Sequence, residues 1–250
     1  MAAERWRRRQ IAVVVYPGVS ALEVVGTVSV LGGLGLETGF RTVTVAGSRE
    51  PVDSNTPLKL VPESTFEEMA QPSGILIPGG GPGTILAMGD ENLLRYVRSA
   101  AEGAQLVASV GTGALLLAAA GLLDGRQATT HQAYRGILEN LGATYVQRRW
   151  TTDGKFVTSG GTSGGVDMGL HLVGEHKSEG AARQVQLWVE YDPQPPFGNL
   201  EWGDRSDDAP TPVLTQHKAE WQRRLAHRPD LLEAIQRATT PAVDAGIKQK

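Results

Sequence analysis

Leu106-Val107-Ala108-Ser109-Val110-Gly111-Thr112-Gly113-Ala114-Leu115 is the stretch that decides the architecture. Residues 106–110 form a short, nearly continuous apolar run of the kind buried on both faces of a parallel sheet. Within two residues the pattern turns into an apolar helical run, 113–121. Strand, sharp turn and helix make a nucleophile elbow, in which one side chain is held at the mouth of a sheet above a helix N-terminus. The position so displayed is Gly111. Without a ligand, the same Gly-Thr-Gly is a tight turn with Thr112 capping the helix.

Outward from this elbow, similar runs at 11–16, 42–46, 74–77 and 156–158 read as buried parallel strands. Helical patterns at 21–36, 91–101, 133–141 and 166–175 lie between or beside them. The alternation predicts an α/β fold, a doubly wound and mostly parallel sheet with ligands at the carboxyl ends of its strands. We expect a basic lead over residues 1–10, one domain over 11–199 and a C-terminal arm and helix over 200–250. Residues 192–212, rich in proline, read as an irregular arm, and 217–225 as a helix packed on the body or on a second subunit. Trp150, Trp188 and Trp202 are expected in the core or an interface.

Composition narrows the partners. Lys+Arg number 24 against Asp+Glu 27, a net charge of −3, so no basic excess exists to hold a nucleic-acid backbone. The apolar run after Arg5-Trp6-Arg7-Arg8-Arg9 stops at Pro17-Gly18, too short for a secretory signal, and the greasiest run, 114–123, falls well short of the ~20 residues of a membrane helix. A cytoplasmic protein without nucleic-acid or membrane partners is expected. The chain has no cysteine, which removes disulfides, thiolate metal sites and a cysteine nucleophile together.

Three further features could carry chemistry. Ile75-Leu76-Ile77-Pro78-Gly79-Gly80-Gly81-Pro82-Gly83 runs a strand straight into a glycine cluster, whose N–H groups can converge on an anion or oxyanion. A glycine turn without a ligand is the competing reading. Glu23 lies in an otherwise apolar stretch after the first strand. Burial there would raise its pKa and let it exchange protons near neutrality, whereas periodicity alone makes it a surface glutamate. His131, in Thr129-Thr130-His131-Gln132, follows a short strand and suits proton transfer, although a histidine without a visible partner is more often structural. The other histidines show no metal-ligand spacing, so neither metal nor cofactor is expected.

Taken together, these segments resemble the ThiJ/PfpI superfamily of class I glutamine-amidotransferase-like proteins, and most closely its isonitrile hydratase branch. The resemblance runs from about Ile11 to the terminal helix. It is strongest at residues 77–83, at 109–112 with Ala119-Ala120-Gly121-Leu122-Leu123-Asp124-Gly125, and at Thr129-Thr130-His131. It continues in Gln184-Val185-Gln186-Leu187, Glu190-Tyr191 and Pro195-Pro196-Phe197. A flavodoxin-like three-layer sandwich, a homodimer and a small-molecule substrate are what this likeness implies.

It also implies roles. Glu23 matches the acid beside the nucleophile, usually Asp in the hydratases. Gly79, Gly80 and Gly81 match a loop of the oxyanion pocket, and Thr112 the residue after the nucleophile. His131 matches a pocket-edge histidine, with Gln132 where the hydratases usually carry Trp. Gly111 falls on the nucleophilic cysteine itself. In the hydratases a thiolate attacks the terminal isocyanide carbon, the acid protonates it, and water resolves the thioimidate to an N-substituted formamide. Glycine cannot take the first step. Three readings follow: an engineered loss of the cysteine, a natural enzyme in which Glu23 performs noncovalent acid/base chemistry (hydration, cyclisation or proton transfer), and a binding protein without turnover. Retention of the acid, the glycine loop and Thr112 favours the second.

Overall fold

The computed structural model describes residues 10–33 and 38–198 together with Gln216, Ala219 and Arg223. The apolar runs lie side by side in one seven-stranded sheet. It contains β1 (Gln10–Val14), β2 (Arg41–Ala46), a short edge strand β5 (Ser64–Thr65), β6 (Gly74–Ile77), β7 (Leu106–Val110), β10 (Trp150–Asp153) and β11 (Phe156–Ser159). Two small pairs stand outside it: β3 (Val52–Asp53) with β4 (Lys59–Leu60), and β8 (Gln127–Ala128) with β9 (Thr144–Tyr145). The order across the sheet is β10-β11-β7-β6-β1-β2-β5, parallel throughout except for the antiparallel β10–β11 pair. Every residue of β6, β7 and β11 is buried, as continuous apolar runs require of central strands.

Helices α1 (Ala21–Leu31), α2 (Pro82–Ala87), α3 (Glu91–Gly103), α4 (Gly113–Ala119), α5 (Arg135–Asn140), α6 (Gly164–His176) and α7 (Glu179–Trp188) cover the sheet. The β1–α1–β2 unit steps toward one edge and β6–α3–β7 toward the other. Right-handed crossovers running in opposite directions put their helices on opposite faces. The result is the mostly parallel, flavodoxin-like α/β architecture expected from the sequence. The chain reverses direction between β1 and β6, so their carboxyl ends open the crevice where such sheets bind ligands.

Several boundaries differ from expectation. Helix α1 stops at Leu31, where Gly32 caps it and Gly33 turns left-handed, rather than at 36. The expected helix at 133–141 opens as a 3₁₀ turn, Gln132–Tyr134, because the His131 side chain accepts the Ala133 N–H. Helix α2 was hidden in the glycine cluster: Pro82 occupies its first turn, where a missing N–H costs nothing. Trp188 is 65% exposed and is not core, Trp150 packs on His171, and Trp202 lies outside the described residues. Of the expected terminal helix, Gln216, Ala219 and Arg223 are described and helical. Among the described residues no helix is long and apolar enough to cross a membrane.

Candidate active site

The start of α1 reads Ser20-x-x-Glu23, a capping-box pattern in which the glutamate would normally fold back on the Ser20 N–H. Half of the box forms: Ser20 Oγ accepts the Glu23 N–H at 3.4 Å. The other half is diverted. The Ser20 N–H is taken by Gly79 O at 2.7 Å, which frees the glutamate side chain. It turns inward to the loop after β6, where Oε2 accepts the Gly79 N–H at 2.5 Å. Oε1 accepts the Thr162 hydroxyl at 3.3 Å. Glu23 is 6% exposed, so it is no surface glutamate. Burial pushes its pKa up to about 7, against the pull of the Gly79 and Thr162 hydrogen bonds, which favour the ionised form.

At the elbow, Gly111 has φ 53°, in the left-handed region that favours glycine. Its N–H donates to Ser159 O at 3.0 Å, and its carbonyl accepts the Thr130 hydroxyl at 2.9 Å. A Cβ built on Gly111 would stand 2.6 Å from Glu23 Oε1 and 3.0 Å from Oε2. The space above Gly111, where the cysteine side chain of the resemblance would stand, is therefore not empty. The glutamate carboxyl occupies it.

Thr112 caps nothing, contrary to the simple turn reading. Its Oγ accepts the N–H groups of both Gly80 and Gly81 at 3.0 Å. With both lone pairs engaged, the Thr112 hydroxyl must donate, and its partner is Thr84 Oγ at 2.8 Å. Thr84 in turn meets the Tyr16 hydroxyl at 3.0 Å, and Tyr16 donates to Pro78 O at 2.7 Å. The chain thus runs one way, from Thr112 through Thr84 and Tyr16 to a carbonyl. The glycine-loop N–H groups that the resemblance assigns to an oxyanion pocket end on Thr112 and Glu23. The loop is also tightly packed: a Cβ on Gly80 would fall 2.2 Å from Gly18 O, and one on Gly113 only 1.9 Å from Ile77 O.

These turns open on a cavity of about 490 Å³, within the usual range for a small-molecule site. Glu23, Gly80, Gly81, Thr112 and His131 reach its wall, as do Ser20, Asn55, Tyr134, Thr162, Gln216 and Arg223. Gly79, Gly111 and Gln132 do not. Gly79 and Gly111 lie behind the Glu23 carboxyl, and Gln132 begins a turn whose next residues carry Tyr134 to the wall. Among the described residues, no cluster of three His, Asp or Glu side chains could hold a metal ion.

A model of the DJ-1/PfpI family matches residues 9–175 of this chain. The chain belongs to that family. Among curated family members, the isonitrile hydratase of Pseudomonas putida is 38% identical over 225 residues, covering 90% of this chain and 95% of that protein. Among solved structures, a THiJ/PfpI family protein from Pseudomonas syringae superposes with a TM-score of 0.72 at 32% identity, over 91% of this chain and 90% of that one. Drosophila melanogaster DJ-1beta shares the fold at 22% identity, with a TM-score of 0.66 over 74% of this chain and 99% of that one.

Within this DJ-1/PfpI frame, sequence reasoning missed Tyr16, Thr84 and Thr162. A signal existed for Thr162: Ser159-Gly160-Gly161-Thr162-Ser163-Gly164 is another glycine-rich turn at a strand end. Tyr16 and Thr84 gave none, because a buried hydroxyl chain links residues 68 positions apart.

Proposed function

We propose that this DJ-1/PfpI protein is an isonitrile-hydratase-like enzyme that hydrates a small organic molecule without a covalent intermediate, using the Glu23 carboxyl first as acid and then as base. The observation that carries the reading is the buried Glu23 carboxyl standing over Gly111, with its pKa raised to about 7. Oε2 accepts the Gly79 N–H, a donor that cannot reverse, whereas the Thr162 hydroxyl, which donates to Oε1 of the carboxylate, can turn to accept, so in the neutral acid the proton sits on Oε1, the oxygen over Gly111. A group poised between its two protonation states at neutral pH can both give and take a proton.

For an isonitrile R–NC, Oε1–H protonates the terminal carbon, and the electron pair of that carbon forms the new C–H bond. Water adds to the resulting nitrilium carbon and returns a proton to the carboxylate. The imidic acid then tautomerises to R–NH–CHO, so that one water is consumed and Glu23 is regenerated. No step requires a sulfur nucleophile. Thr112, with both lone pairs engaged, fixes the loop that presents the Gly79 N–H to Oε2. We also propose a homodimer, supported by the exposed apolar side chains Leu22 and Val25 on α1.

The test is formamide production from aliphatic and aromatic isonitriles, followed by chromatography. Glu23→Gln should lower turnover by ~10²–10⁴-fold while binding persists. Undiminished turnover in Glu23→Gln would refute the assignment, as would the absence of formamide from the unaltered protein.

A further inference from the structure

Hydration develops lone pairs that need hydrogen-bond donors, and the glycine loop has none to give, because its N–H groups are spent on Thr112 and Glu23. The start of α1 supplies them instead. Ser20 and Asn55 both reach the cavity wall. Ser20 is 5% exposed, and its hydroxyl accepts the Glu23 N–H at 3.4 Å. Asn55, in the turn between β3 and β4, is exposed yet pinned. Its N–H donates to Val19 O at 2.9 Å, and its Oδ1 accepts the N–H of Ala21, the residue after Ser20, at 3.1 Å. A further bond, from the Gly18 N–H to Asp53 O at 2.8 Å, ties the same turn to the approach to α1. These bonds fix which atoms are left over. An Oδ1 committed to a main-chain donor leaves the Asn55 N–H₂, and a hydroxyl that accepts still has one proton to give. Neither the Ser20 hydroxyl proton nor the Asn55 amide protons meet an acceptor among the described residues.

An isonitrile carries its lone pair on the terminal carbon, where the Glu23 proton goes, and so offers these two donors nothing. Once water adds, the nitrogen holds a lone pair and the new oxygen holds two. Acceptors thus appear only as the reaction proceeds. We infer that the Ser20 O–H and the Asn55 N–H₂ are catalytic donors that bind the nitrogen and oxygen of the imidic acid as it forms, in place of a glycine-loop oxyanion pocket. Interactions that exist in the transition state and not in the ground state are the ones that raise kcat. The inference rests on the hydration reading and adds two residues to its machinery.

The test is turnover of benzyl isonitrile, together with calorimetry of its product, N-benzylformamide, on the full chain. Asn55→Asp keeps an oxygen for the Ala21 N–H and exchanges the donor for an acceptor. Ser20→Ala removes the other donor, and Ser20→Thr restores it. Asn55→Asp and Ser20→Ala should each lower kcat at least ~10-fold, read on the acid plateau of the pH–rate profile, and leave KM for the isonitrile unchanged. Both should bind N-benzylformamide ~10-fold more weakly, and Ser20→Thr should recover most of either loss at its position. An unchanged kcat in either variant, a rise in KM alone, formamide binding that is equal in native protein and variants, or no formamide binding by the native protein would overturn the inference. Formamide binding that depends on both residues, in a protein that turns over no isonitrile, would uphold the donor pair and sink the hydration reading instead.

Discussion

Replacing Glu23 by Gln should change how stability depends on pH, and the size of the change follows from the site. Burial lifts the Glu23 pKa from 4.5 to about 7. The folded chain therefore holds this proton more tightly than the unfolded chain does. Between these two values the folded state binds more protons, so stability falls as pH rises. At 1.36 kcal/mol per pKa unit, the full penalty is about 3 kcal/mol, complete above pH ~7 and absent below pH ~4.5. Gln has nearly the same shape, keeps an oxygen for the Gly79 N–H and does not titrate. Urea unfolding of both proteins from pH 4.5 to 8 isolates the effect, since all other groups cancel in the difference. The Gln variant should gain about 3 kcal/mol on the native protein across that range. A difference that stays flat with pH would show the carboxylate to be as well solvated folded as unfolded, and the acid/base argument would fall with it.

Other perturbations test the neighbours. Thr162→Val removes a donor that favours the ionised carboxyl, so Glu23 should titrate higher and the alkaline limb of the pH–rate profile should move to higher pH. Gly111→Cys forces a side chain into left-handed backbone, at about 1–2 kcal/mol, and drives its Cβ against the Glu23 carboxyl. Adding Glu23→Asp should recover part of that loss, and calorimetric Tm values of the four members of the cycle measure the coupling. Thr84→Val leaves the buried Thr112 hydroxyl proton without its acceptor, while Tyr16 keeps its bond to Pro78 O, and should cost about 1–3 kcal/mol in denaturant unfolding, with an unchanged Glu23 pKa.

The central sheet was legible because β1, β6, β7 and β11 are short apolar runs punctuated by glycine or proline, and a parallel sheet covered by helices buries such runs on both faces. The two-residue strands β3, β4, β5, β8 and β9 carry too few residues for any period to show. The elbow could be located from Gly111 and Thr112, yet not what fills it. Ser20-x-x-Glu23 allows its carboxyl two destinations, the helix cap or the facing loop, and a contact to Gly79 across 56 positions decides between them. Thr112 likewise has a local role open to it as a cap, and three distant partners outbid that role. Arg223 lies in a segment read as a packing helix, and its place on the cavity wall depends on where that segment folds back.

The backbone-to-backbone contact at Gly80 and Gly113 has an evolutionary corollary. A single methyl at either place would collide with a main-chain oxygen that has no freedom to retreat. Heritable variation at this site is therefore channelled away from the loops and into side chains such as the acid at the start of α1, on an unchanging chassis.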